Sequence, residues 1–160
     1  MTDEKIKEYS MRISSANMSG IVVILYDMLK DDLSEAASDT GSDEGIDHAE
    51  LVISHLRSSL DFSKECYETS AQLLSLYDYV GRLLSAARLK RGGSAEREKL
   101  IEEALSVINP LSEAFSEVAL KDKRPSVMEN AEKTVAGMTY GRAGLSEETG
   151  SYDRNRGFLA

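Results

Sequence analysis

Leu73-Leu74-Ser75-Leu76-Tyr77-Asp78-Tyr79-Val80-Gly81-Arg82-Leu83-Leu84-Ser85-Ala86-Ala87 is the stretch that decides the fold class. Leu73, Leu76, Val80, Leu83 and Ala87 recur at steps of three and four, the spacing of one helix face. Leu74, Tyr77 and Leu84 form a second stripe beside them. A helix apolar over so wide an arc touches more than one neighbour, so this segment is expected to be the most enclosed helix of a bundle.

Working outward, the same period returns on both sides. Upstream, Ile21, Leu25, Met28, Leu29, Leu33 and Ala36 follow Asn17, a helix-capping residue. Asp39, Gly41, Ser42, Asp43 and Gly45 then break the pattern. Ile46, Ala49, Ile53, Leu56 and Leu60 form a second amphipathic run, and the region from Ser63 to Thr69 is less regular. Downstream, Arg91-Gly92-Gly93-Ser94 reads as a loop and cap before Ile101, Leu105, Ile108, Leu111, Phe115 and Val118. Pro110 inside that run is expected to kink the helix without ending it. Ser126-Val127-Met128-Glu129 fits a capping box and predicts a short fifth helix to about Ala136. Glycines at 137, 141, 144, 150 and 157 make the rest an irregular tail, with Tyr140, Tyr152 and Phe158 as its apolar anchors.

The expected fold is therefore all-α, an antiparallel up-down four-helix bundle with a short fifth helix and an irregular C-terminal tail. Its parts are an N-terminal segment at 1–16, the bundle at 17–120 and an extension at 121–160. Two prolines and no tryptophan in 160 residues favour long helices over a many-turned β fold.

Composition narrows the function. The net charge is −9 and the basic residues are scattered, so no stripe exists to neutralise nucleic-acid phosphates. The longest apolar run, Ile21 to Tyr26, is too short to span a bilayer, and the first residues lack the apolar run of a signal peptide. Cys66 is the one cysteine, so no internal disulfide forms, and a reducing cytoplasm is the expected home.

Catalytic chemistry finds little to build on. His48 and His55 lie two helical turns apart, about 10 Å, too far to share a metal, and neither has glutamate three residues before it. Both are expected at the surface. A histidine phosphotransfer module is the alternative of a different class, but neither histidine is followed by the lysine it would need. There is no phosphate loop and no nucleophile elbow. The expectation is a non-enzyme without cofactor or metal.

Two copies of Leu-Tyr-Asp, at Leu25-Tyr26-Asp27 and Leu76-Tyr77-Asp78, carry the remaining signal. Their flanks do not match, so they are not a duplication. With their neighbours they resemble the flagellar secretion chaperone family, FliS. Members have a leucine-tyrosine/phenylalanine-aspartate motif in the first helix. In the third they have leucine-tyrosine-aspartate-tyrosine with a following arginine-leucine pair, here Arg82-Leu83. Ala114-Phe115 stands where the family usually has alanine-tryptophan, Met18 where a proline often opens the helix, Cys66-Tyr67 where many members have two glycines, and Ala87 for a common asparagine.

The resemblance, which covers about Tyr9 to Val118, implies a chaperone that binds the disordered C-terminal segment of flagellin along apolar grooves between helices. It would prevent premature polymerisation and deliver flagellin to the flagellar export apparatus. The expected binding residues are Tyr9, Ile13, Leu25, Tyr26, Leu29, Leu56, Leu60, Leu73, Leu76, Tyr77, Val80, Leu83 and Leu84. A disordered partner loses entropy on binding, so such a surface must be extended and apolar. The same leucines also fit a plain core role, and Asp27 and Asp78 suit solvation, capping or a salt bridge. Tyr9 and Ile13 would belong to an N-terminal segment that covers the groove until flagellin arrives. Phe158-Leu159 is a second candidate plug, and a homodimer is among the expected assemblies.

Overall fold

Asn17 starts the first long helix as its side chain predicts. Its Oδ1 accepts the Gly20 N–H at 2.9 Å and its carbonyl accepts the Ile21 N–H at 2.9 Å. The structure, a computed structural model, describes residues 3–38 and 42–129, and among them every regular element is a helix. These are α1 (Asp3–Ser15), α2 (Met18–Ser38), α3 (Glu44–Ser58), α4 (Tyr67–Arg88) and α5 (Ala95–Lys121). Ser94 caps α5 by accepting the Arg97 N–H at 3.3 Å, and Glu96 and Glu98 lie in its first turn, where the helix dipole favours them. Gly93, with φ of 68°, takes the left-handed conformation that the turn before this cap requires. The break between α3 and α4 falls at 59–66, so it starts ahead of the expected irregular region and overlaps it only at 63–66. Helix α5 runs on through Pro110, which is exposed, while Ile101, Ala104, Ile108 and Ser112 stay buried on the opposite side.

α2 packs against α3 and α5, and α4 packs against the same two helices from across the bundle. Contacts at opposite ends set the directions. Ser19 near the start of α2 meets Asp122 just after α5, and Arg97 at the start of α5 reaches Asp43 beyond the end of α2. Arg57 late in α3 meets Asp78 in α4, whereas Arg88 late in α4 meets Asp47 early in α3. Neighbours are thus antiparallel, as expected. The core joins Tyr26, Leu29 and Leu33 to Ile46, Val52 and Leu56, and to Val80, Leu84, Ile101 and Ile108.

Two expectations change and one element is added. The N-terminal segment, to which the sequence pattern assigns no regular structure, is a helix, and Ile6, Tyr9 and Ile13 are the helical stripe that announces it. It folds back along α2, since Lys5 and Tyr9 reach Asp31 while Arg12 reaches Asp27. The most enclosed helix is α2, which packs on α1, α3 and α5, and not α4. His48 is half-buried rather than a free surface residue: its Nδ1 lies 2.5 Å from Oδ2 of the buried Asp32. Burial pushes the Asp32 carboxyl above its ordinary range, and the contact with His48 opposes that rise.

The short helix expected after the bundle, a sixth helical segment, begins where the capping box places it. Ser126 accepts the Glu129 N–H at 3.2 Å and helical geometry resumes at Val127. Its continuation to Ala136, the tail anchors and Phe158-Leu159 lie outside the described residues.

The α2–α3 interface depends on one missing side chain. A Cβ on Gly45 would stand 2.8 Å from the Asp32 carbonyl oxygen and 3.1 Å from the Ala36 Cβ. Backbone cannot yield as a flexible side chain can, so Gly45→Ala should destabilise the fold by about 1–3 kcal/mol. Urea unfolding is the check, with a lower midpoint and an unchanged slope expected.

Candidate functional site

The two Leu-Tyr-Asp motifs meet inside the bundle. Tyr26 and Tyr77, 51 residues apart in sequence, bring their hydroxyls to 2.6 Å, and both side chains are buried. Burial first, and then the hydrogen bond from Tyr77, pushes the Tyr26 phenol above its ordinary range; burial also raises that of Tyr77. Neither ionises at any physiological pH, so the pair is a structural bond rather than an acid–base device. Phe115 of α5 closes the group, its ring centroid 5.4 Å from that of Tyr26.

Beside this group opens a cleft of about 310 Å³, bounded by α2, the first turns of α4, α5, and the end of α3 with the connection that follows it. Val22, Leu56, Leu60, Leu73, Tyr77 and Phe115 supply its apolar lining. Ser59, Asp61, Glu65, Cys66, Thr69 and Ser70 form the polar remainder, with Cys66 exposed. Ser70 Oγ donates to the Asp61 carbonyl, which ties the connection to the start of α4. The Asp61 carboxylate accepts from the backbone and hydroxyl of Ser63, which holds it below its ordinary range.

The expected binding residues divide by position. Leu56, Leu60, Leu73 and Tyr77 come together in the cleft. Leu29, Val80, Leu83, Leu84 and the ring of Tyr26 lie in the core, beyond reach of a partner while the bundle is closed. Leu25 is half-buried at the core margin, and Leu76 and Ile13 are each 37% exposed. Tyr9 is the one buried residue of α1. Val22 and Phe115 belong with the cleft group but escaped the list of expected contacts. Their signal was proximity to Tyr26, at one helical turn for Val22 and only in three dimensions for Phe115.

The aspartates of the motifs find distinct partners. Asp27 accepts from Arg12 at 2.6 Å and pairs with Lys30 at 3.0 Å. Asp78 pairs with Arg57 at 3.0 Å across a larger cleft of about 510 Å³ between α3 and α4. That second cleft is ringed by Glu50, Arg57, Asp78 and Arg82, a lining that suits water better than an apolar segment. Among the described residues no group of three or more His, Cys, Asp or Glu side chains could hold a metal ion, and no helix is long and apolar enough to cross a membrane.

A family model described as flagellar protein FliS matches residues 3–122, three-quarters of the chain. The chain belongs to the FliS family. FliS proteins are flagellar export chaperones, a role that needs a binding surface and no catalytic group. The match runs from the start of α1 to the residue after α5, so it includes all five helices. No curated protein and no solved structure matches the chain.

Two outcomes follow from the hydrogen bonds of this region. Tyr26→Phe and Tyr77→Phe should each cost about 1–3 kcal/mol, because each strands the other hydroxyl in the core. The double variant should cost clearly less than the sum, read as a non-additive cycle in urea unfolding. The second outcome concerns acid. Burial would raise the Asp31 carboxyl, but the hydrogen bonds from Lys5 and Tyr9 outweigh it and hold it below the ordinary 3.8. A depressed carboxylate stabilises above its unfolded value and loses that contribution as pH falls through the folded one. Helix α1 should therefore loosen from α2 as pH drops below about 4, seen as selective loss of amide protection in residues 3–15.

Proposed function

We propose that this FliS protein binds the disordered C-terminal segment of flagellin, and that the cleft beside Tyr77 receives apolar side chains of that segment. It would thereby keep flagellin from polymerising early and aid its delivery to the flagellar export apparatus. The observation that supports this most is the cleft itself, apolar on its floor, open to solvent and built from residues of both motif-bearing helices. An unfolded segment gains from burying apolar side chains there, and the cleft is present before the partner arrives, which lowers the ordering cost.

Leu60 and Leu73 are the apolar lining residues best suited to test this reading, because both are only half-buried and can change without emptying the core. Tyr26, Leu29 and Leu84 serve the reading indirectly, by holding the helices that shape the cleft. Helix α1 serves it as a cover of neighbouring α2 surface outside the cleft, docked by one buried tyrosine and partly solvated ion pairs.

The test compares full-length flagellin with flagellin lacking its C-terminal segment, by calorimetry with the purified chain. Tight binding to the first and none to the second is expected. Leu60→Asp and Leu73→Asp should each weaken binding by about tenfold or more, with the helical content by circular dichroism unchanged. Binding that survives the truncation of flagellin would sink the proposed mode.

A further inference from the structure

Asn17 uses both ends of its side-chain amide. While Oδ1 caps α2, Nδ2 donates to the carbonyls of Asp122 at 3.1 Å and Arg124 at 3.2 Å. Two further bonds accompany it: Ser19 Oγ donates to Asp122 Oδ2 at 2.6 Å, and the Val127 N–H donates to the Ala16 carbonyl at 3.0 Å. Arg124 folds onto the same carboxylate through Nε at 2.8 Å and Nη2 at 2.6 Å, so the segment after α5 is internally braced. These contacts converge on Ala16 and Asn17, the two residues that join α1 to α2, and on Ser19 in the first turn of α2.

The elbow they grip is tightly built. A Cβ on Gly20 would lie 3.2 Å from both the Ala16 Cβ and Asn17 Oδ1. The helix beyond the elbow is held far less firmly. Only Tyr9 of α1 is buried, and Ile6 and Met11 stay exposed. Its ion pairs to Asp27 and Asp31 are partly solvated, the kind that contribute little. A 13-residue helix with so little burial is marginal by itself. The fixed elbow keeps it aimed along α2.

We propose that residues 122–127 form a strap that clamps the α1–α2 elbow and so sets how readily α1 leaves α2. Most of the strap lies beyond residue 122, where the family match ends, so it is a device of this chain's own extension. The strap stands on geometry alone; its regulatory use rests on the proposed flagellin reading, in which departure of α1 uncovers surface for the partner.

Asn17→Ser separates the two roles of the residue. Serine keeps a capping oxygen for α2, yet its short hydroxyl cannot also reach both strap carbonyls. Hydrogen exchange followed by mass spectrometry on the full chain should show amides of 3–15 exchanging about tenfold faster, as loss of one or two ordinary hydrogen bonds implies. Amides of α3 and α4 should keep the parent rate. A chain ending at Asp122, which keeps the end of α5 but loses the Arg124 and Val127 contacts, should behave alike. Unchanged α1 exchange in both variants overturns the strap, and so does an equal acceleration in every helix. The partner is measured separately, by the association rate with flagellin's C-terminal segment, which should rise in both variants. Faster α1 exchange without faster association supports the strap and counts only against flagellin as what it gates.

Discussion

The hydroxyls of Tyr26 and Tyr77 meet at 2.6 Å in a region that excludes water, and the rest of the bundle is arranged so that they can. The two residues sit on α2 and α4, which face each other across the bundle while α3 and α5 fill the flanks. Sliding either helix by one turn would leave two phenols buried without partners, a penalty that apolar packing alone would not impose. Leucine cores tolerate repacking at modest cost. One polar contact in their midst makes a single register preferable. It also fixes where the chain between α3 and α4 must leave the bundle, and hence where the apolar cleft opens.

Around this contact the charged residues form an outer frame. Each motif turns its tyrosine inward and its aspartate outward. Asp27 holds α1 through Arg12, and Asp78 holds α3 through Arg57. Arg88 adds a second tie between α4 and α3, and Tyr79 links α4 to Glu103 of α5. Inside the frame, Asp32 with His48 and Arg97 with Asp43 are the places where charge enters the interior. Both lie near the α2–α3 connection, where Gly45 allows the backbones to approach. An acidic chain therefore keeps much of its surface charge in local pairs, and its apolar cleft stands apart from them.

The four bundle helices and the caps at Asn17 and Ser94 were legible because each is a local property: a period, a capping residue, a run of turn formers. What could not be read was anything that depends on which helix lies opposite. On α4, the stripe through Leu76 and Leu83 and the seam through Tyr77 and Leu84 have the same spacing, and both choices suit a helix. The residues that face the core are Tyr77, Val80, Leu83, Leu84 and Ala87, with Leu73 at its margin, which leaves Leu76 at the surface. Helix α1 was overlooked as a helix because its stripe is narrow and its other positions are polar. Of the candidate site, the Tyr26–Tyr77 bond and the place of Phe115 beside it needed three dimensions, since their separations in sequence carry no period. The family resemblance named the expected binding residues without saying that Tyr26, Leu29, Val80, Leu83 and Leu84 lie inside the core.

The contacts from Asn17 to Asp122 and Arg124 join positions 105 and 107 residues apart. A chain leaving the ribosome makes α1 and α2 long before the residues that clamp their elbow exist, and contacts of such long range form late. The newborn protein thus passes through a stage with its N-terminal helix unclamped, which ends only after residues 122–127 have been made. On the proposed reading, exposure of the α2 surface is then timed by the synthesis of residues 122–127.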